Sequence, residues 1–173
     1  MNDSLLDTLF AYESWATRHV LEECGALTQA QFEQSFGLGH GNLERTLAHL
    51  VGAMTFFADR LNRHWPRPRA DRDGVTHTPA GLLALFEVAD RELREAVMKT
   101  LDVHALTDLL NWTNTNEGEI DPLDRVTYAV ALAQMLDHSN HHRTQALDML
   151  RLLGNTKPLE WHPFEWDEAR RAQ

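Results

Sequence analysis

The sequence predicts an all-α protein, a four-helix bundle with long connections after helices 1, 2 and 3 and a short C-terminal extension. Three observations predict it. Apolar residues recur at steps of three and four along four long stretches, which is the spacing that puts them on one face of a helix. Each stretch opens on a side chain suited to cap a helix N-terminus, and the last closes on a glycine. No internal repeat, low-complexity tract or composition break divides the 173 residues, so residues 1–173 read as one domain with a core at about 4–154 and an extension at 155–173. A chain of this size buries roughly 70% of its unfolded surface, enough for a core independent of staples.

In the first segment Leu5, Leu9, Tyr12, Ala16 and Val20 follow Ser4 and Asp7, which stand in capping-box spacing. This helix ends near Gly25. A polar connection leads to Asn42 as N-cap, and Leu43, Leu47, Leu50, Met54, Phe57 and Leu61 then define a second helix ending before Pro66. "PRPRADRDGVTH" mixes both charge signs with Pro and Gly and reads as a solvated loop. Thr78 and Pro79 open the third helix, which runs through Leu82, Phe86, Ala89, Leu93 and Val97. Residues 102–121 are polar, with "LLNWTNT" suited to a short strand or hairpin arm. Asp121 and Pro122 repeat the start signal for a fourth helix running to about Leu153, where Gly154 supplies the stop. The tail "KPLEWHPFEWDEARRAQ" reads as a short packed extension and not as a fifth full helix.

The formal charge of −10, with no block of Lys or Arg, argues against nucleic acid or anionic lipid as a partner. Cys24 is the sole cysteine, which excludes an internal disulfide and any cysteine-rich metal site. Near the end of the first helix with no paired base, it reads as a core filler and not as a nucleophile. The N-terminus shows no secretory pattern and no apolar run approaches membrane-spanning length, so the chain reads as soluble and cytoplasmic.

"DHSNHHRTQ" places three histidines within five positions of the fourth helix. Ten histidines in the chain yield roughly half a His-x-x-x-His pair by chance, so spacing alone decides nothing. Direction says more. Thr127, Ala131, Gln134, His138, His142, Gln145, Met149 and Leu152 share one stripe, while Arg125, Asp137, Arg143, Asp148 and Arg151 lie off it. His138 and His142, one turn apart on an inward face, can chelate one cation, and zinc then needs at least one more protein ligand. No Glu-x-x-His or His-Glu-x-x-His occurs, which removes the di-iron carboxylate and metalloprotease readings. His49, at the edge of the second helix's leucine stripe, is the best third ligand, the alternative being a hydrogen-bonded core histidine. His141 reads as exposed or as a support to the site, and His162 as a side chain that caps it if the tail folds over. His19, His40, His64, His77 and His104 fall at surfaces, helix ends or loops and need no function.

"HSNHHRTQ" followed by "MLRLLG", the upstream "LERTLAHLVGA" and the N-terminal "YESWA" resemble the DinB/YfiT-like superfamily of metalloenzymes, over roughly residues 5–155. The resemblance implies a four-helix bundle holding a divalent metal, zinc or alternatively nickel, through His49, His138 and His142. Thr144 stands where the family usually has a small residue. The resemblance also implies a low-molecular-weight thiol as co-substrate, a small-molecule electrophile as its partner, a link to stress responses and a possible homodimer.

Three neutral imidazoles leave the cation's charge uncompensated and one coordination position open, where a water or thiol loses its proton readily. Two chemistries follow: a thiol S-transferase, favoured by the resemblance, or a hydrolase using a metal-bound hydroxide. A stress-associated protein with a structural metal, closed by His162 or His141, is a third reading. Gln145 and Gln134, each one turn from a histidine, are candidates to touch a ligand or orient a ring. Tyr12 and Trp15 are candidates to line the pocket mouth, core packing being the alternative.

Overall fold

The computed structural model describes residues 4–64, 67–72, 74–111, 125–155 and 161–172. Four long helices carry the core: α1 (Leu5–Cys24), α3 (Leu43–Leu61), α4 (Pro79–Val103) and α5 (Tyr128–Leu152). A single turn, α2 (Gln29–Phe32), interrupts the first connection, and α6 (Pro163–Arg171) closes the described chain. Both α1 and α3 pack beside α4 and α5, so the four helices form a ring with α1 and α3 across its diagonal. None of the described helices is long and apolar enough to cross a membrane.

The start signals act as their chemistry dictates. Ser4 Oγ accepts from the Asp7 N–H at 3.1 Å while Asp7 returns a bond to the Ser4 N–H, satisfying two amide groups that the first turn cannot. Asn42 Oδ1 accepts from the Arg45 N–H at 2.8 Å, and Thr78 Oγ1 from the Gly81 N–H at 3.1 Å. At the far end of α5, Gly154 takes φ +89°, and the Asn155 and Gly154 amides turn back to the Leu150 and Arg151 carbonyls at 3.1 and 3.0 Å. Only glycine adopts that φ without strain, which is why the helix stops there.

Along α3 the expected stripe is the core itself: Leu43, Leu47, Leu50, Met54, Phe57 and Leu61 are all buried. Leu82, Phe86, Ala89, Leu93 and Val97 of α4 face it. The first helix departs from expectation. Its buried face carries Phe10, Thr17, Leu21 and Cys24 beside Ala16 and Val20, whereas Leu5 is 74% exposed. The reason lies in the tail: α6 is a helix of nine residues that docks on α1, so α1 is sandwiched and two of its faces are apolar. Tyr12 meets Trp166, and Trp15 meets Trp161 and His19.

The start of the fourth long helix is also corrected. Arg125–Thr127 form strand β2, antiparallel to β1 (Leu109–Asn111), with Leu109 opposite Thr127. The helix begins only at Tyr128, where Thr127 Oγ1 accepts from the Val130 N–H at 3.3 Å. Two further bonds, from the Tyr128 and Ala129 amides to the Asp108 and Leu106 carbonyls at 3.0 Å each, tie its first turn to the chain before β1. The Asp121–Pro122 signal lies outside the described residues.

Candidate metal centre

His49 lies on α3, and His138 and His142 lie one turn apart on the adjacent α5. Their rings converge: centroids are 5.1 Å apart for His49 and His138, 4.8 Å for His49 and His142, and 4.5 Å for His138 and His142. The Nε2 atoms of His49 and His138 are 3.1 Å apart. Around tetrahedral zinc, with Zn–N near 2.0–2.1 Å, neighbouring ligand nitrogens stand roughly 3.4 Å apart, so this pair already has nearly the separation a shared cation imposes.

A fourth ring comes from a place the sequence reading set aside. His40, in the connection before α3, stacks on His49 with centroids 4.0 Å apart and lies 5.2 Å from His142. One ligand nitrogen from each of His40, His49 and His142 falls within 4.8 Å of the others, a group that could hold a metal ion. Three glycines with left-handed φ, Gly37, Gly39 and Gly41, shape the turn that delivers His40. At Gly39, whose φ is +52°, a Cβ would stand 2.8 Å from both Gln145 Oε1 and Thr46 Oγ1, so a side chain there would strain the backbone and push one of these neighbours aside. The Thr46 hydroxyl accepts from the His40 N–H at 3.1 Å and fixes the loop to α3.

Hydrogen bonds set which nitrogen of each ring faces inward. His49 Nδ1 is 2.7 Å from Asp71 Oδ2 and 3.2 Å from Arg69 Nη2. A carboxylate only accepts, so the shorter contact makes Nδ1 the protonated nitrogen and leaves the Nε2 lone pair directed into the cluster. Likewise His142 Nδ1–H donates to Gln145 Oε1 at 2.9 Å, and the Gln145 amide donates to His141 Nε2 at 2.8 Å. Gln145 thus orients His142, and the exposed His141 supports that amide. His138 is held differently: its Nδ1 is buried and has no hydrogen-bond partner among the described residues. Two rings with tautomers fixed for inward lone pairs, and a third whose Nε2 faces that of His49, are an arrangement suited to a shared cation.

Charge agrees. Burial, followed by the neighbouring His142 and His49, pushes His138 down to about 4, and burial lowers His142 and His40 as well. These rings are therefore neutral near pH 7, the form in which an imidazole can bind a metal. Asp71 is raised by burial, but the hydrogen bonds from His49 and Arg69 outweigh it and hold the carboxyl below its ordinary value. Arg69 grips Asp71 at 2.9 Å through Nε and 2.8 Å through Nη2, while the His77 ring donates to the Ala70 carbonyl at 2.8 Å. The loop expected to be merely solvated thus carries the support for His49, and His77 helps to hold it. Gly52, one turn beyond His49, makes room: a Cβ there would stand 2.8 Å from Asp71 Oδ1.

Other expectations fall elsewhere. Tyr12 and Trp15 contact α6, Trp161 and Arg143, so the structure puts them in the α1–α6 contact and not at a mouth of the cluster. Gln134 is exposed. His162 precedes α6, and His162 N–H donates to Glu165 at 2.9 Å, a role in starting that helix. Arg143, judged to lie off the inward stripe, is 2% exposed, and its guanidinium donates to both Glu13 oxygens and to Asn140. Cys24 is buried, and burial raises its thiol to about 12, as befits a filler. Beside the cluster a cleft of about 480 Å³ is lined by His40, Asp71, Arg45, Arg72 and Glu33 among others.

A profile of the DinB family matches residues 1–168. The chain belongs to the DinB family. The match runs through the tail into α6, as far as residue 168. A search of curated proteins gives no match. Among solved structures, a DinB-like protein from Bacillus cereus is similar at TM-score 0.65 and 21% identity, over 91% of this chain and 98% of the other. That likeness concerns the fold; the site rests on the geometry above.

Proposed function

We propose that this DinB protein is a metal-dependent S-transferase that activates a low-molecular-weight thiol and joins it to a small-molecule electrophile. The observation that carries the reading is the donor set: imidazoles from α3, α5 and the His40 loop lie close enough to share one cation, and the Asp71 carboxylate is engaged on the outer nitrogen of His49. A divalent cation bound there, zinc or alternatively nickel, supplies a Lewis acid that lowers a thiol's pKa and stabilises the thiolate.

The chain's own groups do the rest. His49 and His142 are held in one tautomer by Asp71 and Gln145, so the ligand lone pairs need no reorganisation. The cleft beside His40 is the size of a small-molecule site, and Arg45 and Arg72 on its lining suit a thiol or electrophile bearing a carboxylate. In the transfer the sulfur forms its bond to the electrophilic carbon, the leaving group departs with the bonding pair, and the thiol proton passes to solvent. Cys24 is buried with a raised pKa, so the sulfur comes from outside the chain.

The test uses purified protein with zinc or nickel and a panel of small thiols, following consumption of chlorodinitrobenzene. Turnover is expected only with both thiol and metal present, and it should fall at least tenfold in His142→Ala. Metal-dependent hydrolysis of simple esters or amides without thiol, and no thiol-dependent turnover, would replace the transferase with a hydrolase. Silence in both assays with metal bound leaves a structural metal.

A further inference from the structure

We propose that His40 is a displaceable fourth ligand of the metal centre: seated by Gly39 over His49 and His142, it closes the coordination sphere at rest and gives way to the incoming thiolate. Ligation by His40 stands on geometry alone, whereas its exchange for a thiolate rests on the transferase reading.

The four rings are not equivalent. His49, His138 and His142 sit on long helices whose backbones are pinned by the core, and His142 is 8% exposed. His40 is exposed, on a turn outside any helix, yet its ring stacks 4.0 Å above His49 and a nitrogen of it falls within 4.8 Å of nitrogens of His49 and His142. The turn is built to put it there. Gly39 passes so close to Gln145 and Thr46 that any side chain would collide with the amide that orients His142, and the Thr46 hydroxyl takes the His40 amide. A surface histidine needing no function requires neither feature.

With His138, whose Nε2 lies 3.1 Å from that of His49, added to the group of His40, His49 and His142, four imidazoles would meet zinc's preferred number and leave no open position. A reactive centre then has to release one, and the ligand released at least cost is the one on the turn. His40 also lines the cleft beside the cluster, so a substrate entering there meets that ring. A thiolate is a softer and stronger donor to zinc than a neutral imidazole, which gives exchange its direction.

Cobalt substitution reads this without turnover, since four-coordinate cobalt absorbs visible light far more strongly than five- or six-coordinate cobalt. Wild type, His40→Ala and Gly39→Ala are loaded with Co²⁺, and affinity and visible spectrum are recorded before and after adding 2-mercaptoethanol. Gly39→Ala retains the imidazole but disturbs the turn and, through Gln145, the support of His142, so His40→Ala decides ligation and Gly39→Ala reports on the turn. Wild type should show the intense spectrum. Both variants should show shifted visible bands, with water in place of the imidazole, and affinity lowered roughly tenfold. The thiol should add a sulfur-to-cobalt charge-transfer band in all three, at lower thiol concentration in His40→Ala, where nothing has to be displaced. If both variants match wild type in affinity and spectrum, His40 is not a ligand and the proposal falls, whatever the enzyme assays show. If the variants change but no thiol band forms in wild type or variants, His40 is a permanent ligand, and both exchange and the transferase reading fail.

Discussion

The Asp71 carboxylate shows how a residue on the outer side of a histidine can govern its inward nitrogen. It fixes the His49 tautomer, and its negative charge makes the inward nitrogen a better donor. Asp71→Asn should therefore lower zinc affinity about 10–100-fold, read by competition with a chromogenic chelator. Gly52→Ala tests the same contact against an opposing tendency. In a helix interior Ala is favoured over Gly by about 1 kcal/mol, so propensity alone predicts a more stable protein with unchanged metal binding. The Cβ, however, would stand 2.8 Å from Asp71 Oδ1, and weakened metal binding is expected. Unchanged affinity in both variants would mean that Asp71 does not support the ligand. Residues at this scale were unequally legible. His138 and His142 announce themselves because a four-residue step on one helix fixes their mutual direction. Asp71 and His40 sit on connections, where no periodicity relates sequence to direction; the alternating glycines around His40 were the only mark of a chain making a close approach.

Between elements, the contact of α1 with α4 has a titration of its own. The Ser14 hydroxyl bonds the Asp90 carboxylate, and one turn along, Arg18 pairs with Glu87. Burial raises Asp90 above its ordinary value, only partly offset by the Ser14 bond and by Arg94 and Arg18. At low pH the group is protonated in folded and unfolded chains and contributes nothing. As pH rises through the ordinary aspartate value the unfolded chain ionises first, and stability falls until the native group has ionised too. Asp90→Asn should thus raise the melting temperature at pH 7 and leave it unchanged at pH 3; a lower melting temperature at pH 7 would show that the charge is used and not merely tolerated. Elements themselves were read well where a cap met a periodic stripe, as at Ser4, Asn42 and Thr78. They were misread where one helix has two apolar faces. On α1 the Tyr12 and Trp15 side packs on α6, so counting apolar positions chose a stripe between the two true faces. At α5 a proline signal outweighed Thr127, because three residues of strand leave almost no alternation to detect.

For the molecule as a whole, the division of labour between core and centre decides what metal removal does. The core runs through α1, α3, α4 and α5 without using the histidine rings as filler: Leu47, Leu50, Phe86, Leu132 and Met149 are almost wholly buried on their own account. Zinc-finger domains unfold without metal because metal is their core; here the helices have another. The histidine cluster nevertheless joins α3 to α5 and to the turn before α3, and one of its nitrogens, the buried His138 Nδ1, has no hydrogen-bond partner among the described residues. Any ligand that binds only the folded state stabilises it by mass action, about 2.7 kcal/mol at a free concentration one hundred times its dissociation constant. For a domain of this size each kcal/mol moves the melting temperature by about 2–4 °C. Saturating zinc should therefore raise it by about 5–10 °C, with the far-ultraviolet circular dichroism of the chelated protein at 25 °C matching that of the loaded one. Collapse of helicity on chelation would show that the bundle cannot close without its ion. No shift at all, with metal bound by direct analysis, would place the ion outside the cluster, since a cation shared between α3 and α5 cannot bind the unfolded chain equally well.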